Sequence, residues 1–266
     1  MIGHNTFAHK GLTFTLEPLT EAQGPVRLVW LHGWRADKET LRPLAQSLLP
    51  LGESWLLEMP GHGEAPLPAT EAPETLGPAA HAEALCTWLA TLPPCPTYLL
   101  GHSMGFRIAL HAAAARMPYI KGIVALAGAG VPKPLTGKAK WRAKWIKLLL
   151  TLGHKLRPLL GERILNMVRS HFESTDARSC PARLKPMFRA MVRDDASALL
   201  PLVAQPALLL YGTEDTDTPP ALGQKISKGM AQAQFIALPN LNHYTILSQG
   251  RHVVAERIFG FVKEHL

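Results

Sequence analysis

Cysteine is scarce in the 266-residue chain: Cys86, Cys95 and Cys180 are scattered, and no two form a C-x-x-C pair. That excludes a disulfide framework and the common zinc and dithiol motifs, leaving reduced, buried thiols as the expectation. No apolar run approaches the roughly 18 residues that a membrane-spanning helix needs. Met1 to Lys10 carry no apolar signal core, so a cytoplasmic protein is expected. Clusters of His, Asp or Cys with ligand spacing are missing too, so metal binding is not expected. Internal repeats and low-complexity tracts are absent, and charged residues reach only 18% against 47% hydrophobic ones, which excludes extensive disorder.

What charge there is has a definite place. The chain carries a formal +8, yet residues 131–170 alone hold ten basic side chains, among them Lys138, Lys140, Arg142, Lys144 and Lys147, against the single acid Glu162. One segment therefore carries the whole excess. A chain of this length suits one large α/β domain with an insertion better than two independent domains.

Strand-like and helix-like segments alternate up to about residue 130. Leu12–Leu16, Val26–Leu31, Ser54–Met59, Thr97–Leu100 and Ile120–Ala127 read as strands. Helical spacing is predicted over Glu39–Leu49, over Pro78–Leu92 and after Ser103. The order points to a mainly parallel sheet with helices on both faces. From 131 to 200 helical periodicity continues without strands, punctuated by prolines, and reads as a helical insertion. The βα rhythm resumes with Pro206–Gly212, Ala221–Met230, Gln234–Leu238 and Val253–Lys263. Residues 1–130 and 201–266 thus form the core, and 131–200 a cap.

Gly101-His102-Ser103-Met104-Gly105 stands between an apolar strand and an alanine-rich helix. In that setting G-x-S-x-G reads as a nucleophile elbow, a sharp turn that exposes a serine at a helix N-terminus. A serine hydroxyl is a poor nucleophile at neutral pH and needs an imidazole base oriented by a carboxylate. Asp215 follows the strand ending at Gly212, and His243 follows the next strand. In a parallel sheet both positions fall on the edge that carries Ser103. Asp217, two residues on, is a rival for the acid, and Glu214 is expected to be solvated. His32, His62 and His102 belong to turns where hydrogen bonding of the loop is the expected role; His111 and His252 read as helix-surface residues.

These features, with His32-Gly33-Trp34, Pro60-Gly61-His62-Gly63 and Asn242-His243, resemble the α/β-hydrolase superfamily over nearly the full chain. The resemblance implies an eight-stranded-type sheet and a cofactor-independent serine hydrolase. It further implies Ser103 as nucleophile, His243 as general base and then acid, and Asp215, whose spacing from Gly212 matches the family, as its orienting carboxylate. The backbone N–H groups of Trp34 and Met104 would form the oxyanion hole. Glu58, Ala65 and Phe106 stand where the family commonly has aspartate, serine and a small residue. Phe106 puts in doubt how closely the elbow helix approaches the sheet.

In the insertion, Trp141, Trp145, Leu148, Leu149 and Leu152 share one helical face, while Lys140, Lys144 and Lys147 fall on another. Such a helix can pack its tryptophans, candidate substrate-lining residues, over the mouth of the site. It can equally lie on an anionic membrane surface, or steer an acidic carrier protein to the mouth. Nucleic acid is not expected, because the tryptophans and the main lysine row diverge. In general form the chain is similar to the capped carboxylesterases that include pimeloyl-carrier-protein methyl ester esterases. The reading is hydrolysis of small-molecule carboxylic esters with short to medium apolar acyl groups. Carrier-protein ester or thioester hydrolysis, carbon–carbon bond hydrolysis and a non-catalytic ligand-binding role are the alternatives.

Overall fold

The computed structural model describes residues 5–19, 24–70, 72–133, 141 and 180–266. Their strands form one eight-stranded sheet in the order β1-β2-β4-β3-β5-β6-β7-β8. The strands are β1 (Asn5–His9), β2 (Leu12–Pro18), β3 (Val26–Leu31), β4 (Gly52–Glu58), β5 (Thr97–His102), β6 (Ile120–Leu126), β7 (Ala207–Gly212) and β8 (Ala233–Leu238). β1 pairs antiparallel with β2, and β2 antiparallel with β4. Every other pairing is parallel.

The central strands explain themselves from sequence. All residues of β3, β5 and β7 are buried, which is what a strand covered on both faces demands of its side chains. On one face Val26, Leu28, Trp30, Tyr98, Leu100, Val124, Leu126, Leu208 and Leu210 pack beneath α1 (Arg42–Ser47) and the closing helix, which brings Val254, Ile258, Phe261 and Val262. Each large apolar side chain so removed from water contributes about 2 kcal/mol relative to exposure. Helices α2 (Pro78–Leu89) and α3 (Met104–Ala114) pack against each other, α3 lying on β5 and β6. Further on come α4 (Lys185–Arg193), α5 (Pro220–Gly229) and α6 (Arg251–Glu264).

Two elements differ from the sequence reading. The helix predicted over Glu39–Leu49 is only Arg42–Ser47, flanked by single 3-10 turns at Lys38–Thr40 and Leu49–Leu51. Pro43 has no N–H to donate and so fits the first turn of a helix rather than its interior, and Pro50 disfavours α-helical backbone at Leu49, which confines the α-helical hydrogen bonding to the stretch between. β1 was not anticipated; it is a largely exposed edge strand paired on one side, and so carries little of the hydrophobic alternation by which strands are found.

By contacts the chain divides into two compact units, one of residues 1–132 and 186–266 and the other of residues 133–185. Most of the predicted cap, Trp145 and the lysine row at 140, 144 and 147 among it, lies outside the described residues; Trp141 is described and is 68% exposed. Among the described residues no helix is long and apolar enough to cross a membrane. None of the three cysteines forms a disulfide, and of the three only Cys180 is buried.

Candidate active site

Because β4, β3, β5, β6, β7 and β8 run parallel, their carboxyl ends lie on one edge of the sheet, and that edge carries the predicted site residues of the core: Trp34 after β3, Ser103 after β5 with Met104 opening the helix behind it, Asp215 after β7 and His243 after β8. Open α/β sheets place their ligands on this edge.

Ser103 has φ 49° and ψ −112°, an outlying conformation for a side chain other than glycine, and is the N-cap of α3. The backbone is forced through it by a strand-to-helix reversal so tight that the two flanking glycines have no room for a side chain. A Cβ on Gly101 would lie 2.3 Å from Phe106 N, and one on Gly105 would lie 2.0 Å from Leu31 O. Phe106 does not hold α3 off the sheet, since Gly105 beside it abuts Leu31 of β3. Its ring is fully buried and occupies the space over Gly128, where a Cβ would come within 2.6 Å of it. Ser103 itself is partly exposed, and its Oγ makes no hydrogen bond among the described residues.

His243 is buried, and its Nδ1 lies 2.9 Å from Asp215 Oδ2. An ionised carboxylate only accepts, so Nδ1 carries the proton and Nε2 presents its lone pair. Asp215 also accepts from the backbone N–H groups of Asp217 at 2.8 Å and Thr218 at 2.7 Å. Burial opposes its charge, but these donors and His243 outweigh it and hold the carboxyl below the usual carboxylate range. Asp217, the rival acid, has an exposed side chain and serves the site only through its backbone; Glu214 is exposed as expected.

The loop after β3 is set by His32. Met59 N–H donates to His32 Nε2 at 2.9 Å, so Nδ1 carries the proton and donates to Gly33 O at 2.7 Å. Burial and the neighbouring His62 hold His32 neutral, with its pKa lowered to about 3. Since the Gly33–Trp34 peptide is trans, fixing its carbonyl on His32 turns the Trp34 N–H to the opposite side. The same loop abuts the elbow: a Cβ on Gly33 would stand 3.3 Å from Ser103 Cβ. Neither the Trp34 N–H nor the Met104 N–H is used in a hydrogen bond among the described residues.

A model of the alpha/beta hydrolase family matches residues 28–257. The chain belongs to this family. Among its relatives, a pimeloyl-[acyl-carrier protein] methyl ester esterase of Chromobacterium violaceum is 27% identical over 248 residues, covering 88% of this chain and 93% of that one. A protein of the same name from Xanthomonas oryzae pv. oryzae is 29% identical over 246 residues, covering 86% and 92%. A thermophilic esterase from Thermogutta terrifontis superposes with a TM-score of 0.66 at 19% identity, covering 99% of this chain and 98% of that one. That likeness is one of fold.

Three features of this α/β-hydrolase edge escape sequence reasoning. Thr218 is buried, and its Oγ1 lies 3.0 Å from His243 Nδ1, 2.9 Å from Asp215 Oδ2 and 2.8 Å from Ala127 O. Its position three residues beyond Asp215 was the available signal. His102 does more than brace its own turn: its Nε2 donates to the backbone carbonyl of His243 at 3.0 Å, and the two rings stand 4.8 Å apart. His111, read as a helix-surface residue, is only partly exposed and bonds Asp194 Oδ1 at 3.0 Å, while Arg107, one turn earlier, donates to Asp194 O at 2.7 Å. These bonds join the far part of α3 to the segment after α4, a pairing that no local pattern encodes. His252 is exposed as predicted.

Proposed function

We propose that this chain is a serine hydrolase of carboxylic esters, with Ser103 as nucleophile, His243 as base and acid, and Asp215 as the carboxylate that orients it. The observation that carries the reading is the buried Asp215–His243 bond of 2.9 Å on the sheet edge that also holds the strained, partly exposed Ser103. Ser103 Oγ attacks the ester carbonyl while its proton passes to His243 Nε2. The Trp34 and Met104 N–H groups, which have no acceptor among the described residues, bind the oxyanion as the tetrahedral intermediate forms. His243 then protonates the departing alkoxide, leaving an acyl group on Ser103. Water enters, gives a proton to His243 and attacks the acyl carbon; collapse releases the carboxylic acid and returns the proton to Ser103. Catalytic hydrogen bonds are commonly loose before substrate binds, so the unbonded Ser103 hydroxyl is compatible with this sequence.

The substrates expected are esters with short to medium apolar acyl groups. Ser103→Ala should remove turnover of a p-nitrophenyl ester by a factor of about a thousand or more while the fold persists, and a fluorophosphonate probe should label the native chain at Ser103. Full activity in the alanine variant overturns the reading.

A second reading, ester cleavage on an acyl carrier protein, is favoured by the names of the relatives and by the basic excess at residues 131–170. Acidic carrier proteins would be drawn to that segment of the proposed cap. Rates on a free methyl ester and on its carrier-bound form separate the two: salt should slow only the latter.

A further inference from the structure

The Thr218 hydroxyl stands where the acid loop, the base and the end of β6 meet, within hydrogen-bond distance of Ala127 O, Asp215 Oδ2 and His243 Nδ1. It has one hydrogen to donate. At Asp215 the Asp217 and Thr218 N–H groups both bond Oδ1 and the His243 Nδ1–H bonds Oδ2, so each carboxylate oxygen already has a donor, whereas Ala127 O has no other donor among the described residues and would be left unpaired. Ala127 is held at φ 48°, in the left-handed region, a conformation that persists in non-glycine residues only where the surroundings fix it. The hydroxyl hydrogen therefore belongs to Ala127 O. That leaves an oxygen lone pair directed at His243 Nδ1–H, which has two acceptors, the Asp215 carboxylate and the Thr218 hydroxyl.

Resting on the reading of His243 as the base, we propose that Thr218 is a positioning residue: its hydroxyl is a second acceptor for His243 Nδ1–H and, through Ala127, fastens the acid loop to β6. A neutral imidazole makes an ordinary hydrogen bond to that oxygen. The imidazolium formed during acyl transfer makes a charge-assisted one, about twice as strong, so the contact favours the transition state over the resting enzyme. Among the described residues, the other groups facing His243 are Asp215, the His102 ring and the Tyr244 ring, which stands perpendicular to it with its centroid 5.2 Å away. His102 is buried and neutral, so Asp215 supplies the charge and Thr218 the remaining polar contact to the ring.

The test is the pH dependence of kcat/KM for a p-nitrophenyl ester in the native chain, Thr218→Ser and Thr218→Val, with Ser103→Ala alongside. Valine matches threonine in shape and lacks the hydroxyl. It should lower kcat/KM about tenfold and move the acidic limb of the profile about half a unit to lower pH, because the imidazolium has lost an acceptor. Serine should restore both. Thr218→Ala, which removes the same hydroxyl with less demand on space, must give the same limb shift and serves if the valine variant does not fold. A variant without the hydroxyl whose acidic limb matches the native one overturns the proposal, whatever its melting temperature. Full activity in Ser103→Ala would instead remove the underlying reading and leave the packing role of Thr218 to be judged by stability alone.

Discussion

His102 Nε2 lies 3.0 Å from the carbonyl oxygen of His243, so the residue before Ser103 holds the backbone of the residue whose ring bonds Asp215. The ends of β5 and β8, which are not neighbours in the sheet, are thereby tied directly together. His102→Phe keeps a planar ring and deletes the donor. It should lower kcat/KM about tenfold and destabilise the fold by about 1–3 kcal/mol, the cost of one buried unpaired carbonyl. Steady-state kinetics and urea denaturation of the same variant measure both; unchanged kinetics would mean that the bond does not position His243.

Ser103 stores backbone strain at φ 49°. Ser103→Gly should therefore raise stability by about 1 kcal/mol while removing activity. A calorimetric melting temperature at or below the native value would show that the elbow is not strained at this position.

Two glycines should respond oppositely to alanine. At Gly105 a methyl group would meet Leu31 O at 2.0 Å, whereas at Gly260, within α6, nothing lies within 4 Å. Gly105→Ala should cost about 3 kcal/mol by forcing α3 away from β3. Gly260→Ala should stabilise by about 0.5–1 kcal/mol through helix propensity. Denaturant midpoints of the two variants decide it.

Stability should fall as pH drops below about 6.5. Burial lowers the pKa of His32 to about 3 and those of His81 and His102 to about 4, against an ordinary 6.5. These depressed values mean that the native state is favoured fully above 6.5, and that below it the unfolded chain binds protons the native rings exclude. The loss is at most about 1.4 kcal/mol per pH unit for each ring, or about 2 kcal/mol each at pH 5. Urea midpoints near pH 7.5 and near pH 5 should differ accordingly, and less in His81→Phe, which removes one titrating ring that lies in α2.

Much of the site was legible because the elbow is local. Gly101 and Gly105 flank Ser103 within five residues, and the collision of backbones that requires them follows from one turn. The placing of Asp215 and His243 was legible by another route: residues just past the carboxyl ends of parallel strands share an edge, so finding β7 and β8 in the sequence was enough to put them on the edge that also carries Ser103. Thr218 was missed because two of its hydroxyl's partners, Ala127 and His243, lie far from it in the chain, and Arg107 and His111 because their partner, Asp194, belongs to another part of the chain. The short α1 was overextended because leucine spacing outweighed Pro43 and Pro50 in the reading.

By itself, the sequence determined which segments must be strands buried on both faces, and that the serine turn must be tight, since continuous apolar runs and glycine pairs constrain the chain locally. Only the tertiary structure decided that Asp215 rather than Asp217 bonds His243, that Gly128 makes room for Phe106, and that one threonine hydroxyl joins two loops. Those outcomes depend on distances of an ångström or less between residues far apart in the chain, which hydrophobic periodicity does not encode.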